Sequence, residues 1–153
     1  MILKYKYIIL LVFFLSQSAK GAENLFLYKG TFSRNIKIEE LYEFKVTKKA
    51  SNKLKNLMKI TNQKEKELHK ILSLKIDVPL KTSSRLMNSK IGEVFLSRLS
   101  KIIYTNKMLN KELNSKDLRS GILLSSFNNN QKISLLDFFK AYPNKSIAID
   151  LNA

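Results

Sequence analysis

The only histidine, His69, limits the chemistry that this 153-residue sequence can carry. One imidazole rules out a His-based metal cluster and leaves a single base for a Ser–His pair. No Ser-x-x-Lys occurs, and the four glycines (Gly21, Gly30, Gly92 and Gly121) never flank a serine as a nucleophile elbow requires. No Gly-rich stretch exists to cradle a phosphate. Glu39, Glu40 and Glu43 resemble paired carboxylates for acid–base work, but they fall in the first turn of an expected helix, where acids ordinarily stabilise the N-terminus. His69, between Leu68 and Lys70 on another expected helix, reads as a boundary residue rather than a base. With no cysteine, disulfides, thiolate metal sites, a Cys nucleophile and a lipidated anchor are excluded. The expectation is a non-catalytic chain with no cofactor and no metal.

Charge is the stronger signal. Lys and Arg number 28 against 12 Asp and Glu, a formal charge of +16. Only Arg34, Arg85, Arg98 and Arg119 are arginines, whereas phosphate and base recognition lean on the bidentate guanidinium fork, so nucleic acid is disfavoured as a partner. Lys45, Lys48, Lys49, Lys53, Lys55 and Lys59 run without an intervening acid, with Leu54, Leu57 and Met58 as a modest apolar side. That run is either a solvated helix face or a docking surface for an anionic membrane or an acidic protein. Arg85 and Arg98 bracket the most regular amphipathic segment; they are candidate contact residues, with an ion pair to Glu93 or another acid as the simpler role.

The N-terminus has three zones: Lys4 and Lys6, the apolar run Tyr7 to Leu15, then small and polar residues to Gly21. Ala19 and Gly21 stand at −3 and −1 of a cut before Ala22, the layout of a secretory signal peptide. The expectation is a signal peptide over 1–21 and one exported domain over 22–153. Its destination, whether periplasm, thylakoid lumen or the cell exterior, is left open. Lys4, Lys6 and Lys20 carry three of the sixteen charges, leaving +13 on that domain.

Alternation on either side of Gly30 predicts a hairpin, Leu25 to Lys29 returning through Ile36 and Ile38. From Leu41 and Phe44 the spacing turns helical. Further helices are expected after caps at Asn62–Glu65, Thr82–Ser84, Ser89, Ser115 and Ser134 with Asp137. Ile91, Val94, Phe95, Leu99, Ile102 and Ile103 form one apolar stripe, and Ser146 to Leu151 alternates as a strand. The fold class is therefore α+β and mainly helical. Five to six short helices would pack on a small antiparallel sheet made by the hairpin and the C-terminal strand.

Four segments in order, GTFSRNIKIEELYEF, TSSRLMNSKIGEVFLSRLSKII, KDLRSGILLSSF and ISLLDFFKAYPNKSIAIDL, resemble the cyanobacterial domain of unknown function that precedes α/β-hydrolase domains. Its S-R-x-L-x-x-x-x-G-E-x-x-L-x-R-L pattern is similar at Ser84, Arg85, Gly92, Glu93, Leu96, Arg98 and Leu99, with Met87 where a leucine is expected. The similarity spans nearly all of 22–153 and is weakest over the lysine-rich 45–59. It implies an accessory domain standing without its hydrolase part, and hence a separately encoded hydrolase or other exported protein as partner. The family's catalytic residues would lie on the hydrolase part, so none is carried over. A basic membrane-surface binder and a cryptic Ser/His69 hydrolase are the alternative readings.

Overall fold

The computed structural model describes residues 21–105 and 111–153. The expected signal peptide falls on residues outside these, apart from Gly21. Strands β1 (Asn24–Lys29) and β2 (Phe32–Lys37) form the hairpin, turning through Gly30 at a φ of 58°. That left-handed conformation costs glycine nothing. Helices α1 (Ile38–Thr47), α2 (Asn52–Thr61) and α3 (Glu65–Ser73) follow, then the two-residue strand β3 (Ile76–Asp77). Next come α4 (Leu80–Met87), α5 (Lys90–Leu99), β4 (Ile103–Tyr104) and α6 (Lys111–Asn128). The chain closes with β5 (Lys132–Ile133), α7 (Leu135–Ala141) and β6 (Ser146–Asp150). The molecule is mainly helical α+β, with seven helices among the described residues.

The terminal strand joins the hairpin as expected, but parallel to β1, so the sheet is mixed rather than antiparallel, in the order β2-β1-β6-β4. A parallel pair needs a long crossover, and the whole helical middle supplies it. Pairing Leu25 with both Ile36 and Ile147 sets three aliphatic side chains in a buried row. Ile149 lies opposite both Leu27 and Ile103 and makes a second row against the core. On the other face Tyr28 and Tyr104 stack at 6.5 Å across β6. β3 and β5 form a separate antiparallel ribbon.

Helix starts divide into those the sequence marks and those it does not. Ser89 caps α5 by accepting the Gly92 N–H at 3.1 Å, and Ser134 with Asp137 forms a full capping box on α7. Asn62, expected to open a helix, closes α2 in the left-handed conformation, and α3 begins at Glu65. Thr82–Ser84 lie inside α4, which starts directly after Pro79, and Ser115 lies inside α6. Ser51, whose side chain accepts the Leu54 N–H and donates to Glu40, caps α2.

Fully buried Phe44, Leu54, Leu72, Leu96, Leu118, Leu136, Phe139, Tyr142 and Ile147 form the centre, each large aliphatic or ring contributing about 1.5–3 kcal/mol by burial. Lys48 closes α1 at a φ of 57°, its N–H donating to the Phe44 carbonyl. A left-handed non-glycine costs about 1–2 kcal/mol. Glycine loses about 0.5–1 kcal/mol through its freer unfolded chain. Lys48→Gly is therefore expected to gain about 0.5 kcal/mol, read as a higher urea midpoint at unchanged slope.

Candidate interaction surface

Around the expected cleavage point the chain is already tied into the fold. The Ala22 N–H donates to the Phe139 carbonyl at 3.1 Å, and Glu23 and Asn24 donate to the Lys145 carbonyl. Ala22 is buried, and a Cβ built on Gly21 would meet the Lys140 carbonyl oxygen. A peptidase cutting between Gly21 and Ala22 would have to act before this fold forms.

The lysine run spans the end of α1 and all of α2. Lys48, Lys49, Lys53, Lys55 and Lys59 are exposed, and Lys45 is half-buried. The apolar side noted in the sequence faces inward: Leu54, Leu57 and Met58 all belong to the core. The α2 surface thus offers charge and no apolar face to insert. Lys55 and Lys59 join Asn52, Asn56, Gln63 and Lys64 around an open polar groove of about 720 Å³ between α2 and α3.

Arg85 on α4 and Arg98 on α5 are both exposed, and among the described residues neither forms an ion pair with Glu93 or another acid. Arg98 follows the first part of the apolar stripe seen in the sequence, and that part is exposed. Ile91, Val94 and Phe95 are 75%, 53% and 49% exposed, whereas Gly92 and Leu96 carry the buried face of α5. Leu86 on α4 is also exposed, as are Lys90 at the start of α5 and Lys101 just after its end. The sequence signal for this was Gly92. A helix that must touch its neighbour's backbone turns its glycine inward, and here Ile91, Val94 and Phe95 are left outside while Leu99 and Ile103 still pack on the core.

His69 Nε2 donates to the Lys45 carbonyl at 3.0 Å, and the ring packs edge-on to Phe44. As the partner is a carbonyl oxygen, Nε2 carries the proton, and the ring joins α3 to the end of α1. It has no serine beside it in those contacts. Glu39 and Glu40 occupy the first turn of α1, where the helix dipole favours them.

Two of the shifted ionisable groups, Asp117 and Tyr142, lie in a different place, where β4, α6 and the turn after α7 meet. Thr105 Oγ1 donates to Asp117 at 2.9 Å and receives Asn144 Nδ2 at 3.2 Å and the Tyr142 hydroxyl at 3.3 Å. Burial pushes the Tyr142 hydroxyl up to about 12, helped by the charge of Asp117 and opposed by the Thr105 bond. Desolvation likewise raises Asp117, opposed by its bonds from Thr105 and Asn144. The network saturates the threonine hydroxyl and has the form of a structural tie. Among the described residues no cluster of His, Asp and Glu is arranged to hold a metal, and no helix is long and apolar enough to cross a membrane.

No curated protein and no solved structure matches the chain. Residues 21–150 match the family described as alpha/beta hydrolase of unknown function (DUF1400), and the chain belongs to that family.

Proposed function

We propose that this chain is an exported, non-catalytic accessory domain whose work is docking, and that its partner is a hydrolase on a separate chain. The observation carrying this reading is the outward apolar stripe of α5, Ile91, Val94 and Phe95, bordered by Lys90, Arg98 and Lys101. A contiguous apolar patch rimmed by polar residues is the usual mark of a protein contact. The kind of partner is taken from the resemblance to a domain that precedes α/β-hydrolase domains, and the missing nucleophile elbow supports a role without catalysis. Export rests on the basic, apolar and small-residue zones ahead of Ala22.

A second reading, contact with an anionic membrane or acidic protein through the lysine run, draws on the same surface charge. Because Leu54, Leu57 and Met58 point inward, such contact would be electrostatic only and would vanish with salt.

The test is a crosslinked pull-down from the native cells at low and high salt, comparing the wild type with Ile91→Glu/Phe95→Glu. A hydrolase captured at both salts and lost with the double variant is expected. The variant should unfold within about 0.5 kcal/mol of wild type, as exposed positions generally do. Capture that survives the variant, or that disappears with salt alone, overturns the docking reading. Ester hydrolysis by the purified chain that is abolished in His69→Ala would overturn the non-catalytic one.

A further inference from the structure

A second apolar feature is concave and takes in Leu99 and Ile103, the far end of the α5 stripe. A groove of about 320 Å³ opens between the end of α3, the β3–β5 ribbon and the facing sides of α5, α6 and α7. Leu74, Ile76, Leu99, Ile122, Ile133 and Phe138 line it. Leu74 and Ile76, 60% and 53% exposed, form its rim. The only polar side chain among the lining residues, Ser134, is already committed: its hydroxyl donates to Asp137 at 2.7 Å and accepts the Asp137 N–H in the α7 cap. The interior therefore has no free hydrogen-bonding side chain to offer, and whatever fills it must be hydrocarbon over its buried length.

We infer that this groove binds the alkyl chain of a free long-chain carboxylate, with the carboxylate held at the rim. Three features select that occupant. Volume is the first: about 320 Å³ sits at the low end of small-molecule pockets, which run roughly 300–1,000 Å³. The walls are the second. They are almost wholly branched aliphatic with Phe138 as the one ring, which suits a flexible chain and gives a flat aromatic ligand little to stack on. Rim charge is the third. Exposed Lys70, Lys75 and Lys132 each adjoin a lining residue in the chain (Ile71, Leu74 and Ile76, and Ile133), and exposed Lys101 lies between Leu99 and Ile103. Exposed Arg98 beside Leu99 adds a fifth cation, and two acids are so placed: Asp77, next to Ile76, and Asp137, next to Phe138 and already bonded to Ser134. Five cations against two anions on the segments that line an apolar slot complement an anionic head group.

The groove explains residues that the docking reading leaves idle, and it stands or falls separately from that reading. The experiment uses the full chain, equilibrated with a dansyl-labelled fatty acid and titrated with dodecanoate, with dodecanol, and with phosphatidylglycerol vesicles. Dodecanoate is expected to displace the dye. Leu74→Asp and Ile76→Asp should weaken it by about tenfold or more, because a carboxylate in an apolar site must be desolvated. Both positions are exposed, so the variants should keep the wild-type circular dichroism. Ile76→Trp, which fills the slot without charge, must also block binding. Lys75→Glu/Lys132→Glu should weaken dodecanoate more than dodecanol at low salt, a difference that shrinks as salt rises. Absence of displacement, binding indifferent to Leu74 and Ile76, equal lysine dependence of acid and alcohol, or a response to vesicles alone would each overturn the inference.

Discussion

Gly92→Ala should destabilise the protein by about 3 kcal/mol, at the upper end of what overpacking ordinarily costs. Helix propensity predicts the opposite: alanine inside a helix is worth about 1 kcal/mol over glycine. Packing decides the sign. A Cβ on Gly92 would lie 2.0 Å from the Leu86 carbonyl oxygen and 2.7 Å from the Met87 Cα, both backbone atoms of α4. That carbonyl cannot step aside cheaply, because the Ser89 hydroxyl donates to it at 2.7 Å and the Ser89 N–H at 3.0 Å. The same hydroxyl accepts the Gly92 N–H, so displacing α5 also breaks its cap. Gly121→Ala is the control. Its Cβ meets side-chain atoms of Phe138 and Tyr142, at 2.9 Å and 3.3 Å, and rings can yield a few tenths of an ångström where backbone cannot. That variant should stay within about 1 kcal/mol of wild type, the propensity gain offsetting the crowding. Urea unfolding of the pair decides: a Gly92→Ala protein as stable as Gly121→Ala would mean that α4 and α5 do not close on this glycine.

Gly92 also shows why part of the molecule is legible in sequence and part is not. Where a feature is local, the residues declare it. The turn at Gly30, the Ser89 cap and the Ser134–Asp137 box each depend on a few adjacent groups, and each is present. Strand β6 was legible as a strand but not in direction, because alternation of Ile147, Ile149 and Leu151 reads the same whichever way the chain runs. The apolar period of α5 located a stripe without saying which side of the helix meets the core. A glycine counts for nothing in such a pattern, yet its lack of a side chain settles the question. Thr82–Ser84 misled because hydroxyl residues favour caps, whereas Pro79, which ends the preceding extended segment, already fixes the start of α4. The apolar groove had no linear signature, since its lining comes from separate helices and both strands of the ribbon. As for function, a docking surface of the kind proposed carries less of its partner in its residue types than a catalytic site carries of its reaction.

Tyr142→Ala is expected to cost about 4 kcal/mol, the range for emptying a large buried ring. Tyr142 has no exposed surface, packs edge-on against Phe138 at 5.7 Å, and holds the turn after α7 to β4 through Thr105. Two parts of that cost separate experimentally. Tyr142→Phe keeps the ring and removes the hydroxyl; Thr105 Oγ1 still donates to Asp117 and still accepts from Asn144, so the loss should be about 1 kcal/mol. The hydroxyl also leaves a mark in the pH dependence. Burial raises its pKa from the ordinary 10.0 to about 12, so its neutral form is the one the fold favours. Its contribution is intact below about pH 10, where tyrosine is neutral folded or unfolded. Above that the unfolded chain loses the proton first, and stability falls as pH rises towards 12. Tyr42 is raised to about 12 as well, by burial and then by Asp137 and Glu39, so the alkaline limb of the wild type contains both. Tyr142→Phe should make that limb shallower without abolishing it, and Tyr142→Phe/Tyr42→Phe should flatten it further. Thermal melts from pH 8 to pH 12 measure the slope. A limb unchanged in Tyr142→Phe would mean that water reaches this hydroxyl, and that the junction of β4, α6 and the turn after α7 is looser than its hydrogen bonds describe.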